Sequence, residues 1–210
     1  MTASIFILIT CLTVLLFYIG IGRQNLILGI YLGWCSVIAA LSYLGFFKDS
    51  ASYPPRMLVV LLPAIIFVLY SRKKFSRYPL NNTYLIAIHV LRLPVELVLY
   101  QLFLDRLVPE AMTFQGWNFD ILSGISALII LIARLLKYGI SNIVFRIWNF
   151  AGLCLLFIII TIAILSAPSP FQLIAIEQPN VAILCFPYTL LPALVVPLVL
   201  LSHLLLLKKE

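Results

Sequence analysis

Charge is scarce in this chain. Asp, Glu, Lys and Arg make up 10% of its 210 residues, against about 25% in soluble domains. Histidine is scarcer still, with two copies, His89 and His203. No GxxxxGK[ST], HExxH or GxSxG stretch is present, so the signatures of P-loop nucleotide binding, zinc proteases and serine hydrolases are missing. The four cysteines, Cys11, Cys35, Cys154 and Cys185, stand singly in four different apolar stretches without CxxC spacing. They suggest neither a zinc site nor a disulfide framework and read as small apolar fillers. A retinal Schiff base would need a lysine deep in the last apolar run, where only Lys208 and Lys209 stand at its end. No regular series of arginines suggests a voltage sensor.

What is abundant is apolar. Hydrophobic residues make up 64% of the chain and the mean hydropathy is +1.16. A soluble fold of this length could not bury that much apolar surface. A transmembrane β-barrel would alternate polar and apolar residues in segments of about ten. Here the apolar residues are continuous, over 4–22, 26–47, 57–71, 83–104, 121–136, 143–165 and 181–207. Continuous runs in lipid must be helices, which satisfy their own backbone hydrogen bonds. The expected fold is therefore all-α, a single transmembrane domain over 1–210 built as a bundle of seven helices. Its partner is the lipid bilayer rather than nucleic acid, despite a net charge of +7. The first run follows no basic segment and exceeds the h-region of a signal peptide, so it reads as a span.

Charge placement orients the bundle. With the N-terminus outside, the cytoplasmic side receives Arg23, Arg72, Lys73, Lys74, Arg77, Arg134, Lys137, Arg146, Lys208 and Lys209. The outside receives Lys48, Arg56 and Arg106, and Arg92 falls within a span. That asymmetry is the positive-inside pattern. It places the C-terminus in the cytoplasm and the protein in the cytoplasmic (inner) membrane. It also supports the short third and fifth runs, because removing either breaks the alternation. Asp105, Glu110 and Asp120 then fall in one outer loop, with Phe114, Trp117 and Phe119 suited to headgroup depth. In the next outer loop, Ser169-Pro-Phe-Gln172 reads as a capping box opening a short interfacial helix through Ile176.

The fourth run carries the chemistry. At 100° per residue, His89, Arg92, Glu96 and Tyr100 fall within an arc of about 80°. Arg92 and Glu96 are four apart and can pair. Charges at this depth cost at least about 2.5–3.5 kcal/mol and mark functional sites. Pro94 lies between them and frees a backbone carbonyl. In the seventh run Pro187, Pro192 and Pro197 recur every five residues, so that helix must bend or unwind, and freed carbonyls can line a cavity. Asn149, beside Trp148, can hydrogen-bond across helices. His89 and His203 lie at similar depth, which admits a haem held by both. No other cofactor and no metal is expected.

Met112-Thr-Phe-Gln-Gly-Trp-Asn-Phe-Asp120, Arg92-Leu-Pro-Val-Glu96, Ser166-Ala-Pro-Ser-Pro-Phe-Gln172 and Gln178-Pro-Asn180 resemble a family of small, uncharacterised bacterial membrane proteins. The resemblance covers most of the chain and implies a class without an activity. Three functions suit these residues. The first is binding or transport of a small solute or ion at Arg92 and Glu96, with Glu96 exchanging a proton or holding a cation and Arg92 as its counter-ion or an anion anchor. The second is a membrane-embedded enzyme acting on a lipid or isoprenoid, with Glu96 as general acid. The third is a structural or haem-bearing subunit of a homo-oligomer or larger membrane complex.

Overall fold

The computed structural model describes residues 1–49, 52–75 and 78–207, and every regular element among them is helical. The helices are α1 (Thr2–Gly20), α2 (Asn25–Tyr43), α3 (Leu58–Phe75), α4 (Asn82–Val90), α5 (Arg92–Leu104), α6 (Asp120–Leu135), α7 (Asn142–Ser166) and α8 (Val196–Leu206). Four helical stretches are long and apolar enough to cross a membrane: α1, α2, the combined α4–α5 stretch Asn82–Leu104, and α7. Arg77, Lys208 and Lys209 lie outside the described residues.

The elements follow the apolar runs, with two interruptions where proline forces them. The fourth run breaks at Leu91, so α5 starts with Pro94 in its first turn. There its missing N–H costs nothing, since first-turn donors have no intrahelical partner. The Leu91 N–H reaches back only three residues, to the Ile88 carbonyl at 3.1 Å. The seventh run is broken more thoroughly. Ala182–Leu184 is a 3₁₀ turn, Pro187 follows a cis peptide bond, Pro192 sits in a π-helical turn over Leu191–Val195, and Pro197 is the second residue of α8.

Broken backbone in an apolar interior needs outside partners, and α2 supplies one to the backbone and a second bond to a side chain. Trp34 Nε1–H donates to the Ala193 carbonyl at 3.2 Å, and the hydroxyls of Ser42 and Thr189 bond at 2.7 Å.

The helix ends collect at two poles. At the basic end the Asn81 N–H bonds the Gly20 carbonyl at 2.8 Å. There Phe17 meets Phe75, and Arg134 Nε donates to Thr83 Oγ1 at 3.0 Å. This end carries Arg23, Arg72, Lys73, Lys74, Arg134 and Lys137. At the opposite end the N–H groups of Val181 and Ala182 share the Leu107 carbonyl, both at 3.0 Å. Tyr53 approaches Phe171 there, and Arg56 pairs with Asp49.

Three expectations are corrected. No helix follows Ser169. Its hydroxyl does accept the Phe171 N–H at 3.2 Å. But Leu173 and Ile174 N–H groups fold back onto the Leu165 carbonyl, and Ala175 turns at φ +56°. Tertiary pairing defeats the local cap signal. Cys11 and Cys154 are exposed on helix surfaces and are not interior fillers. Asp120 is not a loop residue: it opens α6 and is buried.

Candidate functional site

The polar residues of the fourth run meet a loop that dips into the bundle. Residues 105–119 leave the end of α5 and turn inward, so that Asn118 reaches Glu96, eight residues or about 12 Å below Leu104. The Asn118 amide donates to Glu96 Oε1 at 2.7 Å and to the Met112 carbonyl at 2.9 Å. Its Oδ1 accepts the Asp120 N–H at 3.0 Å, capping α6. The dip explains why the fifth run is short: α6 begins deep inside. Non-helical backbone at that depth is tolerated because protein surrounds it.

Arg92 does not pair with Glu96. Its Nε donates to Asp120 Oδ2 at 3.0 Å and its Nη2 to Asp120 Oδ1, a two-pronged clasp. Nη1 donates to Ser123 Oγ at 2.6 Å and faces His203 Nε2 at 3.3 Å. Arginine only donates, so His203 accepts through Nε2. Its Nδ1–H then donates to Asn149 Oδ1 at 3.0 Å. The Asn149 amide is spent on the Phe145 carbonyl at 3.1 Å. Each nitrogen of Arg92 is thus committed to protein. The expected Arg92–Glu96 pair does not form, and Arg92 instead acts as a clamp joining α5, α6 and α8.

Glycines permit this clamp. A Cβ on Gly124 would meet the Leu93 backbone nitrogen at 3.1 Å, so α6 lies close against α5. A Cβ on Gly152 would meet His203 Cε1 at 2.5 Å and Nε2 at 2.6 Å. Gly152→Ala is therefore expected to push His203 off Arg92 and cost about 1–3 kcal/mol, the usual range for overpacking. The check is a lower melting temperature in detergent; an unchanged one would show that the ring can shift without loss.

His89 is fully buried, and neither of its ring nitrogens has a hydrogen-bond partner. It stacks on His203 with ring centroids 3.8 Å apart and 28° between planes, and meets the Trp148 ring edge-on. Face-to-face stacking is not the geometry of two axial haem ligands, which approach one iron from opposite faces of the macrocycle. Tyr100 stands apart, near the loop, accepting from Gln115 Nε2 at 3.3 Å and lying against Phe114. Pro192 and Pro197 line a cavity, whereas Pro187 does not.

That cavity, about 300 Å³, is the counterpart of the clamp. Glu96, Arg92 and Asp120 form its inner polar wall, and Asp49 and Arg56 stand at its other end. Between them α3, α5, α7 and the broken seventh segment supply mostly aliphatic side chains. Glu96 lines this wall, and its Oε2 is buried without a hydrogen-bond partner on a residue 2% exposed. A second cavity of about 490 Å³ opens at the basic end, around Asn82, Arg134, Tyr138 and Asn142. Among the described residues no cluster of His, Cys, Asp and Glu fits a metal ion.

Asp120, Ser123 and Asn118 were not anticipated as site residues. A signal was present: Asp120, Ser123, Gly124 and Ala127 are small or polar at helical spacing, and they form the buried face of α6.

Residues 55–209 match the family model described as Domain of unknown function (DUF8737). The chain belongs to that family. No curated protein and no solved structure matches it. The DUF8737 region spans α3 to α8 and so contains the whole clamp, Glu96 and Asn118, while α1 and α2 precede it.

Proposed function

We propose that this DUF8737 protein crosses the cytoplasmic membrane seven times, N-terminus outside, and binds a small molecule at Glu96 as the substrate site of a carrier. Exposed Leu62, Ile66 and Leu69 on α3 and Ile143, Ile147, Phe150 and Phe157 on α7 support the membrane setting. Apolar faces of this extent belong against lipid. The basic end is then cytoplasmic. Attaching a membrane-impermeant maleimide to single cysteines, in a cysteine-free background in spheroplasts, tests the orientation. Trp117→Cys should react in intact spheroplasts and Tyr138→Cys only after permeabilisation; the reverse pattern would invert the topology.

The observation that carries the binding role is Glu96, which lines an apolar cavity and whose carboxyl oxygen Oε2 is buried without a hydrogen-bond partner. Leaving such an atom unmade is costly in a protein interior, and a ligand that donates a hydrogen bond removes the cost. The bound group is a donor, hydroxyl or ammonium, and not an anion, because Arg92 is already spent. Leu191, Pro192, Val195 and Pro197 of the broken seventh segment border the same cavity. Discontinuous helices at the substrate site are the usual architecture of carriers.

The test is equilibrium binding of an alkylamine series, from ethylamine to dodecylamine, to the purified protein in lipid nanodiscs, corrected for protein-free discs. At least one member should bind the wild type and lose that binding in Glu96→Gln. If no member shows Glu96-dependent binding, Glu96 is not a ligand group.

A further inference from the structure

The cavity beside Glu96 is open sideways. Ile65, in the middle of α3, and Ile164, in α7, both line it and are 55% and 43% exposed. Ile65 lies in mid-helix, and Ile164 stands two residues before the end of α7, toward the pole where Asp49 and Arg56 also border the cavity. The flanks run from Leu58 to Val68 on α3 and from Leu156 to Ile164 on α7, or roughly 12–15 Å of helix on each side at 1.5 Å per residue. Val95 and Leu99 of α5 and Val195 and Val199 of the seventh segment close the back. A hydrated ion entering here would surrender its water to aliphatic walls, which is unfavourable. A hydrocarbon chain would lose nothing.

Two charge pairs border the space, and both are internally neutralised. Arg56 pairs with Asp49 and also lies over the Phe46 ring, and Arg92 is held by Asp120. Neither offers a cation to an anionic headgroup. Among the described residues that line the slot, Glu96 is the acid with an oxygen, Oε2, buried without a hydrogen-bond partner.

We propose, resting on the reading of Glu96 as a ligand group, that the ligand is an amphiphile taken directly from the bilayer. Its hydrocarbon body lies between α3 and α7, and its one hydroxyl or ammonium donor bonds Glu96 Oε2. It enters between Ile65 and Ile164 and does not come from water.

Two carbodiimides distinguish these routes, because both modify the same carboxyl but partition into different solvents. The full-length protein in nanodiscs is treated at mildly acidic pH with dicyclohexylcarbodiimide, which dissolves in lipid, or with a water-soluble charged carbodiimide. Adducts at Glu96 are quantified by peptide mass spectrometry, with Glu96→Gln as the blank. The lipid-soluble reagent should label Glu96 and the water-soluble one should not. Ile65→Trp and Ile164→Trp, at exposed positions that tolerate a larger side chain, should each cut the labelling severalfold. Leu62→Trp, also exposed on α3 but outside the cavity, should leave it unchanged. Equal labelling by both reagents, insensitive to the tryptophans, would overturn the bilayer source while leaving Glu96 as a site for a water-borne ligand. Lipid-soluble labelling that ignores the tryptophans would overturn the route between α3 and α7. No labelling by either reagent would sink both readings, since the carboxyl would then be sealed.

Discussion

Asp120→Leu is expected to destabilise the protein by about 3–5 kcal/mol, the range for stranding one member of a buried ion pair. Both members are nearly inaccessible, with Arg92 4% and Asp120 6% exposed. Removing the carboxylate leaves a guanidinium whose remaining partners, Ser123 Oγ and His203 Nε2, are both neutral. The expected consequence is wider than one contact. Asp120 begins α6 directly after the inward-turning loop, so its side-chain loss unties the start of α6 from Arg92, while the backbone N–H that Asn118 Oδ1 accepts remains. The double variant Arg92→Met with Asp120→Leu should recover most of the stability, because replacing a whole buried pair with apolar residues is often neutral or better. A double-mutant cycle read from detergent unfolding midpoints gives the coupling. Additive losses would mean that the clamp is not a unit.

Glu96→Gln is expected to behave in the opposite way. The glutamine keeps an oxygen for the Asn118 amide and fills the same volume, so the fold should survive with melting behaviour close to that of the wild type. Ligand binding should not survive. A hydrogen bond to a charged group contributes about 1.5–3 kcal/mol, so alkylamine affinity should fall roughly 10- to 150-fold. The two substitutions therefore separate two kinds of buried acid, one on α5 and one at the start of α6. Asp120 is fully engaged and matters to stability. Glu96 is half engaged and matters to binding. Equal stability losses in both would make Glu96 a structural residue like its neighbour.

The sequence made the helices legible because continuous apolar runs of this length favour helices, and four of them are long and apolar enough to cross a membrane. It also exposed the break at Pro94 and the unwinding around Pro192 and Pro197, since proline lacks the donor a helix needs. What it concealed was partner choice. Arg92 and Glu96 are one turn apart and of opposite charge, so local spacing favoured pairing them. The partner that won lies 28 residues further on, and reaching it requires a loop that turns inward from Leu104 to Asn118. Nothing in the aromatic, partly acidic composition of that loop announces such a path. The small and polar stripe of Asp120, Ser123, Gly124 and Ala127 did announce a buried face. The opposite failure occurred at Ser169, where a sound cap signal lost to backbone pairing with Leu165. Short-range rules held wherever the chain had no long-range alternative.

The role of Glu96 is tested most directly by infrared difference spectroscopy on nanodisc-embedded protein, recorded with and without dodecylamine. The expected result is a ligand-induced change in the carboxyl stretching region that disappears in Glu96→Gln and persists in Leu62→Trp. Such a band would come from the Glu96 carboxyl meeting the donor of the added amphiphile. A spectrum identical in wild type and Glu96→Gln would show that the ligand never touches this carboxyl, and would contradict the assignment of the cavity as a binding site.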